Sequence, residues 1–577
     1  MAILPSIESH ILATVDSLFA LLRAQGERDY PGEQVTQLEH SLQCAHLARQ
    51  SQEYGHDKEV VLSALLHDVG RFIPAAKQMG AAAGSDGKSV GPQGYEALGE
   101  SYLRELGYSE KICQLVGAQV IEKKYPVSTD NRKTSKQPLI HQGGFSSEEQ
   151  VREAGEDPLL EAKLALKGWA DLAKVPNLVV PPVEDYQEMA FGCLLESMSN
   201  FTLHSKEYRL PEQPTVVVCV DGFDPEYLDS GLKNGILPTF KSFLDQGFHT
   251  TAKSYRETGK ETMVTDDSQL RGSTILEQMS QRGVRVAAIT AKDKLRRILA
   301  HGLQNAICFS AERAADCTTE ENGIAEVEEW LGQSAPSQYS GDLSLFVLDA
   351  GVKLLEEKRS DFLYLTLSDY IQHKHAPGSR ESDNFMKAID DRLRKLAAFA
   401  PIIGVTGDHG MSQKSNDAGE PNVLFLEDTL NDKYGPDATR VICPITDPFV
   451  RHHGALGSFV RVYLKDLSQL ESMISFCQSL PEVEKVLKGK DAAEMYDMPE
   501  DREGDIAIIS RKHAVIGSRK SEHDLSKVKD HPLRSHGGLS EQEIPLIVSR
   551  PIKDIDASKS KAWRNYDVFD LVLNWTL

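Results

Sequence analysis

The chain has 577 residues, 40% hydrophobic and 26% charged, with 64 Lys and Arg against 86 Asp and Glu, a net charge of −22. That length calls for two or more hydrophobic cores. The acidic balance, with no basic footprint, excludes binding to the phosphate backbone of a nucleic acid.

The chain opens on MAILPSIESHILATVDSLFALLRAQ. Polar and acidic residues interrupt its apolar positions and no basic start precedes them, so the spacing predicts an amphipathic helix and not a signal peptide. No stretch of the sequence has the length of a membrane span, so no membrane association is expected. Eight cysteines are scattered without CxxC pairs, which predicts unpaired thiols and a cytoplasmic protein. A homodimer is compatible with this reading.

Residues 1–205 predict an all-helical domain. LEHSLQCAHLARQSQEY, KEVVLSALLHDVGRF and EKICQLVGAQVIEKKY repeat apolar residues at three and four spacing, and Gly80–Gly94 reads as a loop. LLHDVGRF sets His67 beside Asp68, with His40 one helix upstream. The dipeptide alone says little, since His-Asp recurs at His56-Asp57 and His523-Asp524. In context, YPGEQVTQLEH from Tyr30 to His40, LLHDVG, KKYP from Lys123, HQGGFSSEE from His141 and WADLAKVP from Trp169 resemble the HD-domain proteins, and among them the HD-type phosphonate oxygenases. The resemblance implies a di-iron centre that uses O2 to break a carbon–phosphorus bond. His40, His67 and Asp68 would be metal ligands and Lys123 an anion-binding residue. The sequence departs from the family pattern by having Tyr95 and Gln119 where the family has histidines, and Ala170 where the family has an aspartate. Three remaining ligands are too few for two ions, so a degenerate helical module, or a single metal, is expected here.

Residues 206–214, with charges and two prolines in SKEYRLPEQP, read as a linker. From 215 to 577 the pattern becomes α/β: TVVVCVDG, RVAAIT, FLYLTLSD, PIIGVTGDHG and IPLIVSR are apolar runs separated by helical segments. A mostly parallel sheet covered by helices on both faces is predicted, with its ligand site at the carboxyl ends of the strands. Three such ends carry acids: Asp221, Asp369 and Asp408. Asp369 and His373 share one helix face by their spacing, His409 follows Asp408, and His536 lies in a glycine-rich loop. Together these six oxygen and nitrogen donors suffice for two metal ions with open positions. Taken singly each has a plainer explanation, as a helix cap for Asp221 or a loop histidine for His536.

This constellation is similar to that of the alkaline phosphatase superfamily. VDGFDPEYL, MVTDDS, ITAKDKLRRIL, LSDYIQHKHAPGS, VTGDHGM and SHGGLSEQEIPLI narrow it to a resemblance to phosphonoacetate hydrolase, spanning about Thr215 to Ile552. The resemblance implies two zinc ions and hydrolysis of phosphonoacetate to acetate and phosphate. One zinc would take Asp369, His373 and His536, and the other Asp221, Asp408 and His409. Lys292 and Lys294 would clamp the small anionic substrate. It also implies a threonine nucleophile, but after Tyr255 the chain passes from GFHTTAKSY directly to RETGKETMVTDDS. The threonine-bearing stretch has no counterpart, as if excised. Two alternatives stand beside this reading: a phosphodiesterase or phosphatase of the same superfamily, and a non-catalytic phosphonate- or metal-binding protein.

Overall fold

Ile7, Ile11, Val15, Leu18 and Leu22 recur at three and four spacing, and all are buried on one face of helix α1 (Pro5–Gly26). Thr36 and Glu39 form a capping box at the start of α2 (Gln37–Gln50). Asp57 caps α3 (Lys58–Leu66) by accepting from the Glu59 and Val60 amides, which gives the His56-Asp57 dipeptide a structural role. The short helix α4 (Val69–Phe72) follows, then α5 (Tyr95–Glu105), α6 (Glu110–Gly117), α7 (Leu160–Leu172) and α8 (Gln187–Met198). These belong to the first of two units, Pro5–Phe201 and Thr202–Leu577. The computed structural model describes residues 3–30, 33–74, 81–83, 89–92, 94–117, 157–254, 270–416, 418–444, 456–496, 498–525 and 532–577.

Two sequence expectations need correction. The stretch read as a loop contains an antiparallel pair, Ala81–Ala83 with Ser89–Pro92; pairing of small residues leaves no alternation of apolar and polar positions to read. The expected linker begins with a strand, Lys206–Arg209. Lys206 pairs with Asp567 and the Arg209 amide donates to Asn574, so these residues are tied into the second unit.

The second unit is built on seven strands: β1 (Thr215–Val220), β2 (Phe248–Lys253), β3 (Val286–Thr290), β4 (Ile307–Ser310), β5 (Phe362–Thr366), β6 (Ile402–Gly407) and β7 (Glu543–Val548). Their order is β2-β7-β6-β1-β5-β3-β4. The five from β6 to β4 are parallel, while β7 runs antiparallel between β6 and the edge strand β2. Every residue of β1, β3 and β6 is buried, as expected of parallel strands covered on both faces. Thr250 and Thr251 are residues of the edge strand β2. A four-stranded antiparallel sheet, with Phe459–Leu464 and Ile506–Ser510 at its centre, packs its own core against the helices Leu426–Tyr434 and Leu470–Gln478. The sequence reading did not separate this second sheet.

Candidate metal centres

Asp221 follows β1 directly, Asp408 follows β6 directly, and Asp369 and Lys292 lie just beyond β5 and β3. All four therefore meet at the carboxyl edge of the parallel sheet. Asp221 is not the cap of the following helix, because Asp224 takes that place by accepting from the Glu226 amide at 3.0 Å. Gly222 has φ +71, and a Cβ there would meet the Asp369 and Gln372 side chains at 3.3 and 3.2 Å. A glycine thus lets the β1 turn lie against the helix that carries His373.

The structure brings all six predicted ligands together. His409 Nε2 lies 3.3 Å from Asp221 and 3.5 Å from Asp408. His373 Nε2 lies 2.9 Å from Asp369. The His409 and His536 rings stack at 3.6 Å, with His373 5.7 Å from His536. Two triads have donor atoms within 4.8 Å of one another: Asp221, Asp408 and His409, the set expected for one ion, and Asp369, His409 and His536. The second triad differs from expectation in taking His409 where the sequence reading put His373. Lys292 Nζ bridges Asp369 at 2.7 Å and Asp221 at 3.1 Å. Lys294 lies two residues on, in the helix Asp293–Leu299.

Electrostatics favour a cation here. Burial and the neighbouring Asp221 carboxylate push the Asp408 carboxyl up to about 6, against the pull of His409. Burial and Asp221 push Asp369 up too, but Lys292 and His373 outweigh them and hold it well below the usual carboxylate range. Of the three carboxylates, Asp369 and Asp221 share Lys292 in direct contact. The histidines are set for coordination: Nδ1 of His373 faces the Arg534 carbonyl at 3.0 Å and Nδ1 of His409 faces the Gly410 carbonyl at 2.9 Å. Donation from Nδ1 leaves each Nε2 lone pair turned to the acids, as metal-binding histidines require. The donor set fits divalent cations.

Residues the sequence reading missed hold these loops. Arg534 is buried, and its guanidinium donates to the carbonyls of Gln372 at 2.8 Å and Met411 at 3.0 Å and to the Tyr227 hydroxyl at 3.2 Å. Since its own carbonyl faces His373, one residue fastens three ligand-bearing segments. Lys414 and Glu541, both with fully buried side chains, pair at 3.0 Å, and the Gly410 amide donates to the Glu541 carbonyl at 2.7 Å. That pair joins the Asp408-His409 loop to the His536 loop. The basic residue before His536 is visible in RSHGG, but the partners lie more than a hundred residues away.

In the first unit, His40, His67 and Asp68 also converge, all buried. Nδ1 of His40 faces the Ala173 carbonyl and Nδ1 of His67 the Ala64 carbonyl, both at 2.8 Å, and the two Nε2 atoms are 3.1 Å apart. Asp68 Oδ2 lies 3.9 Å from His40 and 3.7 Å from His67. Burial, reinforced by His67, lowers the His40 imidazole to about 4 and keeps it neutral. Tyr95, at a departure from the HD pattern, lies beneath the Arg71 guanidinium, 3.7 Å from its ring centroid. Lys123, Gln119 and the join after Tyr255 lie outside the described residues.

The family of type I phosphodiesterase / nucleotide pyrophosphatase matches residues 252–539, and the HD domain matches residues 38–165. Phosphonoacetate hydrolase from Sinorhizobium meliloti 1021, in complex with phosphonoformate, is 38% identical with a TM-score of 0.62, covering 65% of this chain and 98% of that one. Phosphonoacetate hydrolase of Penicillium oxalicum is 62% identical over 42 residues, 7% of this chain and 58% of that protein. Hydroxymethylphosphonate dioxygenase of Gimesia maris is 30% identical over 197 residues, 32% of this chain and 89% of that protein. The chain thus belongs to the type I phosphodiesterase / nucleotide pyrophosphatase family of hydrolases, with an HD domain ahead of the hydrolase unit. Within that class its second unit has the fold of phosphonoacetate hydrolase, and its first is related to phosphonate dioxygenases. No helix among the described residues is long and apolar enough to cross a membrane.

Proposed function

We propose that the second unit binds two zinc ions through Asp221, Asp369, His373, Asp408, His409 and His536 and hydrolyses the carbon–phosphorus bond of phosphonoacetate. The observation that carries this reading is the convergence of six donors and Lys292 at the carboxyl edge of the sheet, in a fold shared at 38% identity with a phosphonoacetate hydrolase. Zinc, when bound, lowers the pKa of a water ligand to about 7 and polarises a phosphoryl oxygen. Lys292 places a compact positive charge among the carboxylates, where it offsets their repulsion of an anionic substrate. Lys294 supplies a second charge from the next helix. In the overall reaction water adds its hydroxyl to phosphorus, the carbon–phosphorus bond breaks, and the electron pair leaves with the carboxymethyl carbon. That carbon takes the proton and departs as acetate.

The sequence lacks the threonine-bearing stretch that the resemblance implies after Tyr255, so hydrolysis without a protein nucleophile is slow. The test is phosphate release by the zinc-loaded chain from phosphonoacetate and from nitrophenyl phosphate. Slow release from phosphonoacetate, with little from the ester, is the expected result. Preference for the ester would establish the phosphodiesterase or phosphatase alternative. Stoichiometric zinc with no release from either would establish the binding protein. Sequencing the transcript across Tyr255 and Arg256 tests the excision itself.

A further inference from the structure

Among its described residues, the first unit presents the donors for one metal ion, with a positive charge held against the far oxygen of their carboxylate. Both His40 and His67 turn Nε2 to the same point, because each Nδ1 faces a backbone carbonyl. Two nitrogens bound at about 2.1 Å to one ion, at a right angle, lie about 3 Å apart. The observed separation is 3.1 Å. Asp68 completes the set with Oδ2, giving two imidazoles and one carboxylate, a donor set suited to a single first-row divalent ion.

A second ion bridged to the first by this carboxylate would take its other oxygen. That oxygen, Asp68 Oδ1, is 3.2 Å from Arg71 Nε. The guanidinium is not a loose surface group: it lies 3.7 Å over the Tyr95 ring and 5.6 Å from the Tyr30 ring centroid, and its side chain is 10% exposed. The backbone enforces this placement. A Cβ on Gly70 would come within 1.8 Å of the Tyr95 carbonyl oxygen, so only glycine lets α4 approach α5 closely enough to bring Arg71 and Tyr95 together. Burial pushes the Tyr95 phenol far up, so it offers a neutral hydroxyl and not a phenolate. A guanidinium cannot be deprotonated in a protein and repels a cation at this distance.

We propose that the first unit binds one divalent transition-metal ion through His40, His67 and Asp68, and that the Arg71 guanidinium is a built-in cation occupying the position of a second ion. This proposal is independent of the zinc reading for the second unit. It departs from the two-iron centre that the resemblance to HD-type oxygenases implies.

The test uses the metal-free full chain in an Asp221→Asn/Asp408→Asn background, which leaves the first unit wild type and weakens metal binding in the second, and offers it ferrous iron without oxygen. Metal content is measured for the wild type and for His40→Ala/His67→Ala; subtraction cancels whatever the second unit holds. A difference of one ion per chain is expected. On gentle oxidation the wild-type iron should give the electron paramagnetic resonance of an isolated high-spin ferric ion. The companion variant Arg71→His replaces the fixed charge with a ligand and should raise the difference to two. A difference of zero or two in the wild type, or the silent spectrum of a coupled iron pair, overturns the proposal. The spectrum needs no variant of the first unit, so a misfolded His40→Ala/His67→Ala leaves the proposal open to refutation.

Discussion

The second unit gathers three carboxylates, three histidines and one lysine at its candidate metal centres, whereas the first, among its described residues, gathers two histidines and one carboxylate whose far oxygen is held by a stacked arginine. Lysine and arginine act differently here. The ammonium of Lys292 is a point charge set between two carboxylates, while the planar guanidinium of Arg71 meets one carboxylate and lies against Tyr95. On the two proposals above, the position of a resident cation, beside the number of donors, sets how many metal ions a site takes.

The supporting residues of the second unit allow that comparison to be sharpened. The largest effect is expected at Lys414, buried and paired with Glu541. Lys414→Met leaves a buried carboxylate uncompensated and should cost about 3–5 kcal/mol of stability, measured by denaturant unfolding of the metal-free chain. Lys414→Met/Glu541→Leu should recover most of that loss, which separates a broken pair from a damaged core. Burial alone would raise the Glu541 carboxyl, but Lys414, Ser412 and Ser540 outweigh it and its pKa is lowered. For a carboxyl depressed in the folded state, the stabilisation is present above the unfolded pKa, near 4.3, and is lost as pH falls through the folded value. The wild type should therefore lose stability on that acid limb, and the double variant should lose less.

A smaller effect is expected at Arg534. Lysine cannot reproduce the planar fork that reaches Gln372, Met411 and Tyr227 together. Arg534→Lys should weaken zinc binding in the second unit by about 10–100-fold, in the range for residues that orient metal ligands. Iron binding in the first unit should not change; a parallel loss there would show that the variant perturbs the chain generally.

Much of the second site was legible in the sequence because its acids stand at the ends of apolar strands. VVVCVD and GVTGD each announce a strand and its terminal carboxylate, and the structure puts both at one sheet edge. His373 was legible from its spacing to Asp369 on one helix. His409 lying between both triads was not, since the stacking of its ring on His536 depends on loops joined only in the fold. The same holds for Arg534 and for Lys414 with Glu541, whose partners are remote in sequence. In the first unit HDVG was legible, but Arg71 in HDVGR gained meaning only once Gly70 had brought Tyr95 beneath it. The four-stranded sheet went unread because runs such as FVRVYL and IAIIS lack a clean alternation and are not followed by acids at a shared edge.

The central claim, that the second unit is a two-ion site, is tested most directly by native mass spectrometry of His40→Ala/His67→Ala titrated with zinc, with Asp408→Asn added as the comparison. Two zinc ions per chain, falling to one or none when Asp408 loses its charge, is the predicted result. Saturation at a single zinc, or a count that Asp408→Asn leaves unchanged, would contradict it.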